Sequence, residues 1–322
     1  MKNSRRMFIL IEAALAVMLI LVAVTMVRER NGKELDRIAV ILQDSDASQW
    51  SAFKYGLRAA AEDQKTEVFI VSTEGRLSAE EERILLEREI ENGADAVIVQ
   101  PIPGDGTEEM LEKMEKKVPV MLVGCAASEN GEASLLPVTA PDNYNMGAVL
   151  AEELLEDYGG KLDEKTIGFV SEMADSEAVQ SREKGFRDTM QGKGCVIVWS
   201  VSGSGESEVS PGEQAAVDFV VALDDSSLVE AGKEAASNDL HGALVYGIGN
   251  STEAVYYLDL GDVRCLVVPD EFNIGYQSLT EVAKSLDRSF YRMESKLISH
   301  TVLRREQLFL KENQELLFTM NQ

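Results

Sequence analysis

From residue 37 onward, short apolar runs rich in β-branched residues alternate with segments in which apolar residues recur every three or four positions. Such runs are typical of strands buried in a parallel sheet, and the intervening periodicity is typical of amphipathic helices. Together they predict repeated strand–helix–strand units. The predicted strands of the first half are RIAVILQ (37–43), TEVFIVS (66–72), ADAVIVQ (94–100) and VPVMLVG (118–124).

The helices of the first half also leave signals in the sequence. Ser78 and Glu81 have the spacing of a capping box, in which each side chain bonds the backbone N–H of the other residue. We expect Ile84, Leu85 and Ile90 to form the apolar stripe of this helix. Two further helices are predicted, one from residue 48 onward and one near residues 107–116.

The alternation restarts after the segment PDNYNMG (141–147), which predicts a second lobe. Its predicted strands are TIGFV (166–170), CVIVW (195–199), AVDFVVAL (216–223), ALVYGI (243–248) and CLVVP (265–269). Its predicted helices lie at residues 143–158 and 176–191 and near residues 228–237 and 251–258. The segment SGSGESEVSPG (202–212) predicts an exposed loop, and the residues after 287 predict a helix-like stretch followed by a late strand.

The first residues differ from the rest of the chain. Residues 7–27 form an apolar run with one charge, Glu12, after a basic start of Lys2, Arg5 and Arg6. Such a run is long enough to cross about 30 Å of bilayer core as one helix. The segment resembles a signal anchor, and the poor small-residue pattern at its end favours an uncleaved anchor over a cleaved signal peptide. We therefore expect a single-pass protein of the cell membrane, with its large domain on the extracytoplasmic face.

The predicted fold class is α/β, with two parallel-sheet lobes, a hinge and a cleft between the lobes, preceded by one transmembrane helix. A chain of 322 residues is long enough for two separate cores. Open parallel sheets bind ligands beyond the carboxyl ends of their strands. We therefore expect the functional site in the loops that follow the strands.

Charge and candidate chemistry narrow the function. The formal net charge of −25 disfavours binding to nucleic acid. The three cysteines, Cys125, Cys195 and Cys265, lie in apolar segments without metal-ligand spacing, and the sequence has only two histidines. Motifs of serine hydrolases, zinc proteases and P-loop enzymes do not occur, and GIGNS (247–251) lacks the third glycine of a phosphate loop. We expect no enzyme activity, no metal and no cofactor.

Five short motifs in a fixed order carry a resemblance to a known family. They are DSDASQWSAFKYGL (44–57), PDNYNMG (141–147), SREKGF (181–186), ALDDSS (222–227) and PDEFNIG (269–275). Over residues 37–286 the chain resembles the type I periplasmic sugar-binding proteins, the ribose/galactose class that shares its core with lac-repressor-type regulators. An N-terminal apolar run stands where such a regulator would have its helix-turn-helix.

The resemblance implies a periplasmic-binding-protein-like fold of type I, in which three crossings join two lobes that close on a ligand. We expect the crossings near residues 138–141, near residues 269–271 and late in the tail. The implied segments are a cytoplasmic tail (1–6), a transmembrane anchor (7–27), a linker (28–36), an N-terminal lobe (37–140 with roughly 272–298), a C-terminal lobe (141–271) and a return segment with the tail (299–322).

The resemblance also implies a ligand-binding set, in which aromatic rings stack on a sugar and polar groups bond its hydroxyls. Trp50 matches the stacking position and Arg182 matches an arginine that bonds ring oxygens. Asp142 and Asn143 match a landmark near the hinge, which we interpret as a turn and helix cap. The implied set is Asp46, Gln49, Trp50, Arg182, Asp224, Asp225, Asn250 and Asp270.

Alternatives remain open for several members of this set. Trp50 also fits the first core position of its helix, and Arg182 also fits an ion pair between the lobes. Asp224 and Asp225 also fit helix caps, since aspartate at a helix start accepts backbone N–H bonds. The role of Asp46 stays open.

The sequence departs from the family at several positions expected to bind hydroxyls. Pro103 and Gly124 stand where aspartates are expected, and Pro269 falls near an expected glutamine. The segment between CVIVW and AVDFVVAL is too short for the usual helix. The first hypothesis is capture of a sugar or sugar-like molecule for an ABC-type transporter permease, and the alternative is a sensory subunit that signals to a membrane histidine kinase or another partner. The departures also leave open a different polar ligand or a protein-interaction module.

Overall fold

The computed structural model describes residues 18, 35–46, 50–73, 75, 77–102, 104, 106–124, 136–172, 174, 176–203, 210–288, 290–311 and 313. Residues from Arg37 onward belong to one compact unit. The predicted membrane span at 7–27 lies outside the described residues except for Met18. Within the described ranges, no helix has the length and apolar character needed to cross a membrane.

Strands and helices alternate along this unit. In chain order they are β1 (Arg37–Ile41), α1 (Ser51–Gln64), β2 (Glu67–Val71), α2 (Ala79–Glu91), β3 (Ala96–Val99), α3 (Thr107–Glu115), β4 (Val120–Val123), β5 (Val138–Pro141), α4 (Asn143–Asp157), β6 (Thr166–Ser171), α5 (Glu177–Met190), β7 (Val196–Ser202), β8 (Phe219–Ala222), α6 (Asp225–Ala236), β9 (Leu244–Ile248), α7 (Thr252–Leu260), β10 (Val263–Pro269), α8 (Glu271–Asp287), β11 (Lys296–Ile298) and β12 (His300–Leu303).

The strands form two sheets of six, with the orders β11-β5-β4-β3-β1-β2 and β12-β10-β9-β8-β6-β7. All pairings are parallel except that of β10 with β12. The predicted α/β fold with two parallel-sheet lobes is therefore confirmed.

The chain passes between the two lobes three times. Strand β5 belongs to the first sheet, whereas the following helix α4 packs on α5 of the second lobe. Strand β10 belongs to the second sheet, whereas α8 packs on α1 of the first lobe. The third crossing is the step from β11 to β12, at Ser299. Three crossings of this kind are the elements of a hinge.

Each sheet is covered on both faces, which explains the continuous apolar strands. All residues of β3, β4 and β8 are buried. In the first lobe, Phe53 and Leu57 of α1 pack against one face, and Leu111 and Met114 of α3 belong to the cluster on the other. A parallel sheet buried in this way needs apolar side chains at successive positions.

The structure corrects the prediction for α2. Ser78 and Glu81 form the predicted capping box. Of the predicted stripe, Leu85 and Ile90 pack against the core as expected, but Ile84 is 49% exposed, whereas Leu86 is fully buried. The inner face also holds two buried glutamates, Glu82 and Glu89, which a prediction based on apolar residues alone does not include.

One further expectation needs correction. The described residues just after Asp287 are turn and irregular structure, and the helix that was expected there lies at Glu271–Asp287 instead. Between β7 and β8, the described residues contain only a short 3₁₀ turn, Pro211–Glu213, which agrees with the expectation that this segment is too short for the usual helix. The indole of Trp199 lies against Gly168 and donates to the carbonyl oxygen of Ala215 at 2.9 Å, so this ring covers the sheet where the connection is short.

Candidate functional site

The two hinge helices begin with the same local structure. Asp142 caps α4 by accepting from the backbone N–H of Asn145 at 3.1 Å, and Asp270 caps α8 by accepting from that of Asn273 at 3.0 Å. Each aspartate follows a proline that ends a strand, β5 or β10. The cap satisfies orphan N–H groups at the first turn, so each helix starts directly at the crossing.

The two helices also dock on their neighbours in the same way. A Cβ on Gly147 of α4 would overlap the carbonyl oxygen of Arg182 on α5, and a Cβ on Gly275 of α8 would overlap that of Phe53 on α1. Glycine therefore permits the close approach of the helix backbones in both pairs. This docking positions Arg182 against α4, in the second lobe.

Two hydrogen bonds hold the guanidinium of Arg182 in place. Its Nε donates to Asn143 Oδ1 at 2.8 Å and its Nη1 donates to the carbonyl oxygen of Leu223 at 2.8 Å. Burial lowers the pKa of Arg182, while the carboxylates of Asp224 and Glu271 oppose that shift. Nη2 has no partner within the described residues, which leaves one edge of a fixed guanidinium to bind a polar ligand.

Asp224 and Asp225 both brace the backbone of the second lobe. Asp224 caps α6, with one oxygen accepting from Ser227 N at 3.0 Å and the other from Glu172 N at 2.7 Å. Asp225 Oδ1 accepts from the backbone N–H groups of Asn250 and Ser251 at 2.7 and 2.8 Å. The two aspartates therefore hold together three loops that follow β6, β8 and β9.

Asp270 has a similar bracing role at the second crossing. Its Oδ1 accepts from Asn273 N, and its Oδ2 accepts from Asn273 Nδ2 at 2.6 Å. Both carboxylate oxygens are therefore bonded within the first turn of α8. Both of these hydrogen bonds are with Asn273, one with its backbone and one with its side chain.

The predicted residues of the first lobe follow β1. Asp46 is exposed and accepts from Ser72 Oγ at 3.2 Å, while Gln49 lies outside the described residues. The Nε1 of Trp50 donates to the carbonyl oxygen of Gln43 at 3.1 Å, and its ring meets Phe53 edge to face at 5.5 Å. The ring is thus fixed at the edge of the first-lobe core, immediately beside the post-strand loop.

The loops of the first lobe are held by polar contacts that the sequence did not reveal. Ser45 N donates to Thr73 Oγ1 and Thr73 N donates to Ser45 Oγ, both at 3.0 Å, which joins the loops after β1 and β2. The fully buried Glu82 accepts from Ile102 N at 3.2 Å, after β3, and burial raises its pKa to about 7. These bonds hold the loop backbones in place before any ligand arrives.

The sequence analysis interpreted Asn143 as part of a turn and helix cap without its bond to Arg182, and it did not single out Glu271. Asn143 is buried and bonds Arg182, and Glu271 occupies the matching position of α8. Burial raises the pKa of Glu271 to about 7, Arg182 opposes the rise and Asp270 adds to it. The signal that was available is the repeated motif Pro-Asp-Asn and Pro-Asp-Glu at the two crossings.

The fold therefore defines a class of protein. Two lobes, three crossings and fixed polar groups beside the crossings are typical of binding proteins whose lobes are joined by a hinge. The profile of the periplasmic binding protein domain matches residues 38–288, and the chain belongs to that family. A search of the curated proteins finds no significant match.

Solved structures show the same fold at low sequence identity. The glucose-galactose binding protein GanP of Geobacillus stearothermophilus is 20% identical over 86% of this chain and 100% of that chain, with a TM-score of 0.71. A solute-binding protein of an ABC transporter from Agrobacterium vitis, bound with α-D-tagatopyranose, is 15% identical over 87% and 98%, with a TM-score of 0.72. A structure described as the XylFII-LytSN complex is 15% identical over 84% and 98%, with a TM-score of 0.69.

Proposed function

We propose that this chain is an extracytoplasmic solute-binding protein, anchored in the cell membrane by residues 7–27, that captures a sugar or sugar-like molecule by hinge closure for an ABC-type transporter. The observation that carries the proposal is Arg182, which is fixed beside the first crossing with Nη2 left unbonded in the described structure. A guanidinium edge suits the hydroxyl and ring oxygens of a sugar.

The remaining predicted residues support the proposal as a set. Asp46, Trp50, Asp224, Asp225, Asn250 and Asp270 all follow the carboxyl ends of strands in the two sheets. Ligands of open parallel sheets bind at those ends. Structural neighbours whose descriptions name glucose, galactose or tagatopyranose share this architecture, which favours a sugar-like ligand here.

Calorimetry of the chain against sugars, polyols, nucleosides and amino acids tests the proposal. We expect a sugar or polyol to bind, and Arg182→Ala to weaken binding by about a hundredfold, since hydrogen bonds from a charged donor are strong. Lys184→Ala is the matched control, because this residue of the same helix is 70% exposed. Binding that survives Arg182→Ala would place the ligand elsewhere, and no binder in the panel would refute the proposed function.

The proposed membrane anchor needs its own test. We expect the full chain to stay with the membrane fraction after washing at high pH, and a variant lacking residues 7–27 to be released. Release of the full chain under the same wash would contradict the anchor.

A sensory subunit is the second candidate, and the neighbour solved as the XylFII-LytSN complex favours it, because that protein of the same fold is recorded with a partner. Hinge closure changes the surface of both lobes, which a partner can read. Deletion of the gene separates the two functions. Lost uptake of the radiolabelled ligand supports delivery, whereas intact uptake with a lost transcriptional response supports sensing.

A further inference from the structure

The local structure of α8 does not explain why a carboxylate, that of Glu271, lies at its first position. It is the first residue of the helix at the second crossing, and it is partly buried. Its carboxylate has no hydrogen-bond partner among the described residues, whereas its neighbour Asp270 caps the helix with one oxygen and accepts from the side chain of Asn273 with the other. A carboxylate that is partly removed from water without a partner is costly, so a role outside the helix cap is expected.

The matching position of α4 shows what is different about Glu271. Asn143 starts α4 and accepts from Arg182, which lies on the packed helix α5. At the equivalent place beside α8, the packed helix α1 has Phe53, a fully buried core residue. Among the described residues, Glu271 therefore has no cation bonded to it, and the positive charge that favours its ionised form is that of Arg182 on the other lobe.

The groups around the two residues are complementary. The charges of Asp224 and Glu271 act on the pKa of Arg182, and those of Arg182 and Asp270 act on the pKa of Glu271. Within the described residues, Arg182 and Glu271 do not form an ion pair at 4.0 Å or less. Arg182 presents a donor from the second lobe, and Glu271 presents an acceptor from a helix that packs on the first lobe.

We propose that Glu271 is a ligand-binding residue, which accepts a hydrogen bond from a hydroxyl group of the ligand across from the Nη2 donor of Arg182. The inference rests on the proposed function and names its ligand class, a neutral polyhydroxy compound with neighbouring hydroxyls. One hydroxyl accepts from Arg182 while another donates to Glu271. Such a ligand contacts both lobes at the hinge and stabilises the closed state over the open state.

The closing experiment measures affinity of the full chain for D-glucose, D-galactose, D-arabinose and D-tagatose by calorimetry. For the sugar that binds best, we expect Glu271→Ala to weaken binding by about ten- to a hundredfold, with a smaller loss for Glu271→Gln, which keeps an acceptor without the charge. Asp287→Asn is the matched control, because it removes an exposed carboxylate at the far end of the same helix. We expect its affinity to stay within twofold of the parent.

The pH profile separates a ligand contact from a structural role. The ionised carboxylate is the acceptor, so affinity of the parent chain should fall as pH drops through about 7, the pKa to which burial raises Glu271. The Glu271→Gln chain should lose that dependence while keeping the parent melting temperature.

The outcomes are distinguishable. Equal affinities of the parent and both Glu271 variants, together with a large loss for Arg182→Ala, would overturn this inference and leave the proposed function standing. If the parent binds none of the four sugars but binds an anionic or cationic compound from a wider panel, the ligand class is wrong. If it binds nothing at all, both the inference and the proposed function fail.

Discussion

Helix α4 of the second lobe and helix α8 of the first lobe begin with PDNYNMG and PDEFNIG, and each docks on its neighbour through paired glycines. The surroundings of the third residue of each motif nevertheless differ. Asn143 accepts a hydrogen bond from Arg182 of the packed helix α5, whereas the packed helix beside Glu271 has Phe53 at the position that corresponds to Arg182. The two hinge helices therefore share one backbone structure, whereas only α4 contacts a fixed cation, Arg182. The chemistry of the site can therefore change without disturbing the docking of the helices.

The two helices also hold the returning C-terminal chain in parallel ways. Glu153 of α4 pairs with Arg304 at 2.7 Å, after β12, and Glu281 of α8 pairs with Lys296 of β11 at 2.9 Å. The two glutamates differ in burial, since the Glu281 side chain is 1% exposed and that of Glu153 is 20% exposed. A buried ion pair that loses one partner leaves a larger penalty than an accessible pair.

The largest effect should come from filling the glycine contacts. Gly147→Ala and Gly275→Ala would each push a Cβ into a neighbouring backbone, and we expect each to lower the free energy of unfolding by about 3 kcal/mol. Urea titration of both variants measures the loss. Gly203→Ala is the control, because a Cβ there would lie 4.0 Å from its neighbour, Glu172 Cα. A large loss in only one of the two variants would break the equivalence of the hinge helices.

The next largest loss of stability should come from replacing one of the two glutamates that pair with the C-terminal chain, Glu281 and Glu153. We expect Glu281→Gln to lower the free energy of unfolding by about 2 kcal/mol, and Glu153→Gln by about 1 kcal/mol or less. Burial opposes ionisation of Glu281, but hydrogen bonds with Lys284, Tyr291 and Lys296 outweigh it and lower its pKa to about 2.

The pH dependence of this effect has a definite sign. The folded chain favours the ionised Glu281, so its contribution is present above the ordinary glutamate pKa of about 4.3 and is lost as pH falls towards 2. The difference between the parent and Glu281→Gln should therefore be largest near pH 7 and shrink in acid. A difference that is constant between pH 7 and pH 3 would show that the loss comes from packing.

Much of the fold could be predicted from the sequence because buried parallel strands leave a local signal. The runs VPVMLVG and AVDFVVAL are apolar at successive positions, and their cores form β4 and β8. The orientation of α2 could not be predicted in the same way. Its inner face includes Glu82, whose carboxylate is satisfied by Ile102 N, twenty residues away in sequence.

The candidate site was harder to predict because its contacts depend on tertiary packing. The motifs gave Arg182 and the two capping aspartates, but the bond between Arg182 and Asn143 joins residues 39 apart in sequence. Its geometry follows from the glycine contact between α4 and α5, which no local pattern encodes.

Asp224 and Asp225 could be interpreted from the sequence more directly. Their bonds to backbone N–H groups agree with the helix-cap alternative that the sequence left open.

The smallest effect should come from Asn143, which we regard as the positioning residue of Arg182. Asn143→Ala removes the acceptor of Nε and leaves only the Leu223 carbonyl to hold the guanidinium, so we expect sugar affinity to fall by about tenfold. Asn145→Ala, at an exposed position of the same helix, should change affinity by less than twofold. Asn143→Asp keeps an acceptor and should restore most of the binding measured by calorimetry. If aspartate fails to restore binding while the chain stays folded, Asn143 acts on the ligand directly and not through Arg182.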